Sequence, residues 1–175
     1  ASTICTSWPG IYCNAAGHVQ DVFLSYSPEQ FVLGSALSDL PAVELLSFFD
    51  SGLSGTIPPQ IETIAALRIL VVAGTAISGT LPPEMGNMTA LEKFYSYRTR
   101  ISGSLPPLMG RMVALETFYG DRTRISGTLP PEIGMTVLHA LDLQTTLLSG
   151  TLPAALGNMT ALGSFVVART PLSGT

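Results

Sequence analysis

Charge is scarce in this sequence: Lys, Arg, Asp and Glu make up 11% of 175 residues, with eight basic against twelve acidic side chains and a net charge of −4. Such a chain has no general basic field for phosphate backbones, so nucleic acid is excluded as a partner. Long apolar runs are missing too, and with no stretch of about 18 apolar residues nothing spans a bilayer. Histidine and cysteine occur twice each. No His-x-x-x-His, Cys-x-x-Cys, acidic calcium loop or phosphate-binding glycine loop is present, so neither a metal nor a cofactor is expected and the chain reads as a non-enzyme. His139 and Asp142 in one strand read as a surface pair rather than a catalytic base. What is abundant is apolar side chain, at 46%, which is far too much for a disordered chain.

Compartment must be read from small signs. The chain begins at Ala1 without a basic start or an apolar h-region, so any secretion signal has been removed or lies outside this sequence. The two cysteines, Cys5 and Cys13, lie close together around Trp8 and Gly10. In a secreted chain they would form one disulfide closing a short loop, worth about 2 to 3 kcal/mol; otherwise they are two reduced, buried thiols. Two N-x-[ST] acceptors, Asn87-Met88-Thr89 and Asn158-Met159-Thr160, also favour the secretory route. Both fall on the side of the repeat away from its strands, where glycans would leave the strand face open, although G-N-M-T is equally part of the repeat itself.

The dominant feature is a tandem repeat. Aligning on Ser-Gly-Thr or Ser-Gly-Ser gives Ser54, Ser78, Ser102, Ser126, Ser149 and Ser173, separated by 24, 24, 24, 23 and 24 residues. Each copy reads L-x-x-L-x-L-x-x-T-x-[IL]-S-G-[TS]-[LI]-P-P with small changes, most clearly from Leu67 to Pro82. Apolar residues at positions 1, 4 and 6 describe a short half-buried strand. The Ser-Gly that follows supplies a bend. Pro-Pro then opens one helical turn, with Glu84 and Glu132 placed where a carboxylate favours its N-terminal end.

One copy cannot bury enough apolar surface to order itself, so stacking is obligatory. The expected fold is a curved right-handed solenoid with parallel strands on the concave face and short 3-10 or helical turns on the convex side. Residues 1–18 read as an N-terminal cap and 19–175 as about seven repeats of 23–24 residues, the last incomplete. Phe94, Phe118, Leu141 and Phe165 share position 4 and are expected to stack as an apolar spine. The first copy, 19–42, lacks the S-G-x-L-P segment and is irregular from Ser27 onward. Phe165, Val167 and Leu172 would leave an open apolar end, which implies that the natural protein continues.

The segment I-S-G-T-L-P-P-E-M-G-N-M-T-A-L at 77–91 resembles the plant-type leucine-rich repeat, and C-T-S-W-P-G-I-Y-C at 5–13 resembles the N-terminal cap of that class. One departure stands out. Plant repeats carry Asn at position 9, where this chain has Ser51, Thr75, Thr99, Thr123, Thr146 and Thr170. A hydroxyl ladder can partly replace the amide ladder. Thr followed by S-G-T-L-P-P-E is closer to the leucine-rich-repeat surface antigens of trypanosomatid parasites. That resemblance implies a secreted or lipid-anchored surface glycoprotein contacting host components, while plant receptor ectodomains and inhibitors of secreted glycanases are the alternative it leaves open.

Outward strand positions show where a ligand would sit. Copies four and five present Lys93, Tyr95, Tyr97, Arg98 and Arg100, then Tyr119, Asp121, Arg122 and Arg124. Five of the eight basic residues and three of the five tyrosines thus fall on two adjacent rungs. Tyr and Arg are the residues most enriched in binding hot spots, so these residues are the candidate site for a protein or glycan ligand, such as a host surface protein. Tyr95 is expected beside Tyr119, Arg98 beside Arg122 and Arg100 beside Arg124, and these like columns also fit simple duplication of one copy. A structural surface-coat module, in which no concave residue matters, is the competing function. Copy three should present Ile69, Val71, Ala73 and Gly74 as a smooth apolar floor.

Overall fold

The computed structural model describes residues 7, 9–34, 37 and 39–173. The chain is a leucine-rich-repeat solenoid built on two sheets rather than one. Ile11–Cys13 pairs antiparallel with Val19–Phe23. From there Leu45–Ser47, Ile69–Val71, Lys93–Tyr95, Thr117–Tyr119, Ala140–Asp142 and Ser164–Val166 add in chain order, all parallel. Leu46, Leu70, Phe94, Phe118, Leu141 and Phe165 stand in register along this sheet. They form the expected spine, with the Phe94 and Phe118 rings stacked. Cys13, at the end of the first strand, is disulfide-bonded; Cys5 lies outside the described residues.

The Ser-Gly segment was expected to be a bend and is instead a strand. Gln30–Val32, Gly52–Thr56, Ala76–Thr80, Arg100–Ser104, Arg124–Gly127 and Leu147–Leu148 make a second parallel sheet, again in chain order. Ile77 and Ile101 point into the core from it, and the exposed Thr80 and Ser104 point out. The glycine within it, Gly79 in the third rung, has a φ of 76°, which bends the strand without ending it. Any Cβ there would also lie 2.8 Å from the Thr56 methyl of the rung before. The first copy contributes Gln30–Val32 to this sheet although it lacks the motif, because pairing needs only extended backbone at the right height.

The hydroxyl ladder also differs from expectation. Thr75, Thr99, Thr123, Thr146 and Thr170 each donate to the carbonyl three residues back in their own rung, at 2.6 to 2.8 Å. They close the corner between the two sheets within one rung. Bonds between rungs come from the serine of the second sheet: Ser78 donates to the Gly55 carbonyl at 3.1 Å and Ser102 to that of Gly79 at 3.3 Å.

On the convex side the Pro-led segments form 3-10 turns at Pro59–Thr63, Pro83–Asn87 and Pro107–Arg111, with a fourth at Ala154–Asn158. The fifth rung is the exception. It has one residue fewer between Gly134 and the next strand, and Pro131-Glu132 makes only a turn, so the role expected for Glu132 at a helical N-terminus is not met.

Candidate ligand-binding face

Three surfaces meet where the sequence placed one site. Lys93, Tyr95 and Tyr119 stand on the first sheet, Tyr97, Arg98, Asp121 and Arg122 on the corner after it, and Arg100 and Arg124 begin strands of the second sheet. Tyr95 and Tyr119 are one strand apart in register, with ring centroids 5.4 Å apart. Arg100 and Arg124 do not stand abreast: strands of the second sheet are staggered, so that Arg100 faces Ser78 and Arg124 faces Ser102.

Beside the tyrosines runs a charge ladder at position 2 of successive rungs. Gln20 donates to Glu44 at 2.9 Å, and the Arg68 guanidinium bonds Glu92 at 2.7 and 2.8 Å while reaching Glu44 at 4.0 Å. The Glu92 bond raises the Arg68 pKa further above its ordinary value. Glu92, expected from the sequence to help neutralise the arginines of copies four and five, is thus taken up by Arg68 of the third rung. Asp142 is likewise engaged, accepting from both the backbone and the side chain of Gln144 at 3.0 Å.

Position 7 holds the electrostatic centre. Burial pushes the Asp121 carboxyl above its usual range, and neighbouring Asp142 adds to this. Its own backbone bond, Arg122 and Arg98 act in the opposite direction. Burial also raises the Tyr97 phenol, with Asp50 and Asp121 adding to the rise, and burial followed by Tyr119 and Tyr97 raises Tyr95. Both phenols therefore stay neutral hydrogen-bonding groups at physiological pH.

Ala73 is not part of an open floor. Phe49 and Tyr97, two rungs apart, lean together to a centroid separation of 6.2 Å, and Ala73 between them is fully buried. Tyr26 meets Phe49 edge-on at 5.5 Å. This aromatic row went unseen in the sequence because its members share neither a motif nor a repeat position: Phe49 and Tyr97 stand at position 7 and Tyr26 at position 8.

Position 8 is the second feature that sequence reasoning missed. All seven rungs hold it at positive φ: Tyr26, Asp50, Gly74, Arg98, Arg122, Thr145 and Arg169, between 47° and 72°. One is glycine. For the others this conformation costs about 1 to 2 kcal/mol each, so three arginines are held here at the expense of stability.

The two sequons sit on exposed convex turns, Asn87 donating to Glu62 at 2.6 Å and Asn158 ending the last 3-10 turn. Among the described residues no group of three or more His, Cys, Asp or Glu could hold a metal ion. No described helix is long and apolar enough to cross a membrane.

No family model matches the chain, and no curated protein does. Solved structures do. The structure of PEPR1 with AtPEP1 is similar over 100% of this chain and 27% of its own, at 24% identity and a TM-score of 0.93. The plant peptide hormone receptor RGFR1 in complex with RGF2 matches over 96% of this chain and 30% of its own, at 28% identity and a TM-score of 0.86. The Arabidopsis receptor kinase HAESA ectodomain with an IDA peptide hormone matches over 96% and 29%, at 27% identity and a TM-score of 0.83. The chain thus spans less than a third of each of these proteins, and what it shares with them is the plant-type leucine-rich-repeat solenoid.

Proposed function

We propose that the chain is an extracellular, non-catalytic recognition module that holds a protein or glycan ligand on its concave face. The observation that carries this reading is the Tyr95 and Tyr119 pair, two amphipathic rings in register on adjacent strands, flanked by Lys93 on one side and Tyr97, Asp121, Arg98 and Arg122 on the other. Large rings of limited rotamer freedom beside arginines are what binding hot spots are made of. Two of the similar solved structures support it, a plant peptide hormone receptor in complex with RGF2 and a receptor kinase ectodomain in complex with a peptide hormone ligand.

Within that class, the Thr at position 9 and the S-G-T-L-P-P-E segment favour a parasite-type surface antigen contacting a host surface protein, with a Cys5–Cys13 disulfide in its cap and glycans on Asn87 and Asn158. The solved structures favour the second reading, a piece of a plant receptor ectodomain.

The test is binding to arrays of extracellular proteins and glycans by the wild type and by Tyr95→Ala/Tyr119→Ala. Loss of the bound set with an unchanged melting temperature supports the reading. An unchanged set in a folded variant removes it.

A further inference from the structure

We infer that the corner between the two sheets is a second ligand surface, a rail for a linear acidic polysaccharide running along the solenoid axis. The inference rests on the extracellular recognition reading and shares Tyr97, Arg98 and Arg122 with it, but its test substitutes different residues from Tyr95 and Tyr119.

The rail has two halves joined at the fourth rung. Toward the N-terminus lies the aromatic row Tyr26, Phe49 and Tyr97, with successive ring centroids 5.5 and 6.2 Å apart. Toward the C-terminus lie the position-8 arginines, Arg98, Arg122 and Arg169, all exposed. The only ion pair any of them makes among the described residues is a loose one, Arg122 to Asp121 at 3.9 Å. The same column carries the exposed Asp50 in the second rung and Asp121 lies beside Arg122, so the cationic stretch is confined to the fourth to seventh rungs, and there three arginines against one close carboxylate call for an anionic partner.

Backbone strain argues that the line is selected. A left-handed corner is made most cheaply by glycine, as Gly74 does with a φ of 72°. Arginine at 56°, 53° and 57° forgoes that saving, as Tyr26, Asp50 and Thr145 in the same column do, and of the three only Arg122 makes an ion pair among the described residues, at 3.9 Å. Residues held in such conformations gather at functional sites.

The aromatic half chooses between two kinds of polyanion. Arg98 and Arg122 are one rung apart, and Arg122 and Arg169 two rungs, at roughly 4.8 Å per rung, a spacing that long arginine side chains can match to an acidic peptide or to an acidic glycan. The C–H faces of pyranose rings pack on aromatic rings through the quadrupole that also attracts cations, and a poly-acidic peptide has no such face for Tyr26, Phe49 and Tyr97.

The experiment titrates the chain with a linear polyuronate oligomer at low and physiological salt, beside a neutral oligomer of equal length and a poly-glutamate of equal charge. The expected result is polyuronate binding that weakens with salt and exceeds poly-glutamate binding at least tenfold. Arg98→Gly/Arg122→Gly/Arg169→Gly should weaken it at least tenfold without lowering the melting temperature, since glycine suits each position. Phe49→Ala should weaken it severalfold. Equal binding of poly-glutamate, no polyuronate binding at low salt, or full binding by the triple glycine variant would each overturn the rail. Those outcomes leave the concave-face reading standing, because that reading is scored on Tyr95→Ala/Tyr119→Ala.

Discussion

Phe94 and Phe118 stack nearly parallel, ring centroids 5.1 Å apart and 15° between planes, and the core has shrunk two residues further along to admit them. Position 6, apolar in the other rungs, is Ser96 and Gly120 in these two. A Cβ on Gly120 would lie 3.0 Å from both Phe118 and Leu143. Large residues at position 4 and small ones at position 6 thus fill one volume together. Gly120→Leu, although it restores the repeat pattern, should destabilise by about 1 to 3 kcal/mol through overpacking. Adding Phe118→Leu should recover much of that loss, giving a coupling of about 1 kcal/mol or more in a double-mutant cycle read by urea unfolding. Additive effects would show that the two positions do not share volume.

Ser96 belongs to the same accommodation and leaves a buried hydroxyl without a partner. Ser96→Ala removes the desolvation cost and almost no volume, so it should raise stability by about 1 kcal/mol. A fall in the urea midpoint would mean that the hydroxyl is bonded in solution.

How much of this was legible in the sequence follows from where each feature gets its cause. The first-sheet strands are written in local periodicity, and Leu67, Leu70 and Val72 are all fully buried as their spacing requires. The second sheet is not local. Ala-Ile-Ser-Gly-Thr at 76–80 contains a glycine and few strand formers, and it becomes a strand only because Ser54 to Thr56 and Arg100 to Ser102 lie ready to pair on either side. The Tyr95 and Tyr119 column was visible because duplication writes it twice. The left-handed corner was not, because Arg and Thr rarely take that conformation, and stacking imposes it on whatever residue stands there.

That imposition can be measured. Thr145, β-branched and at a φ of 55°, should be the most strained of the corner residues. Thr145→Gly is expected to stabilise by about 1 kcal/mol. The reverse change, Gly74→Ala, should destabilise by about 1 to 3 kcal/mol, since the Asp50 carboxylate also occupies the space its Cβ needs. Thermal melts of the two variants should move in opposite directions, and movement in the same direction would contradict the corner geometry.

The position-9 hydroxyls make a fourth test. Thr99 and Thr123 donate to the Ser96 and Gly120 carbonyls at 2.7 Å and are buried. Thr99→Val keeps the shape, orphans the Ser96 carbonyl and removes the long bond that the hydroxyl accepts from the Ile101 N–H at 3.4 Å, at a cost of about 1 to 3 kcal/mol. Because the bond lies within its own rung, Thr99→Val and Thr123→Val should add in the double variant. A hydroxyl ladder running between rungs would instead make them strongly coupled.

Asp121 supplies the pH dependence. Its folded pKa is raised above the ordinary 3.8, by burial first and Asp142 second. In the window just above 3.8 the folded chain therefore holds more proton than the unfolded one, and the contribution of this group to stability falls as pH rises through that window. Asp121→Asn removes the charge and should raise the melting temperature at pH 7, with the gain shrinking as pH falls toward 4. The same substitution takes away one of the charges that raise the Tyr97 phenol, so a spectrophotometric titration should show one tyrosine ionising at lower pH than in the wild type. A stability gain that grew on acidification would reverse the sign and show that Asp121 is held as a stabilised carboxylate by Arg98 and Arg122 rather than strained by burial.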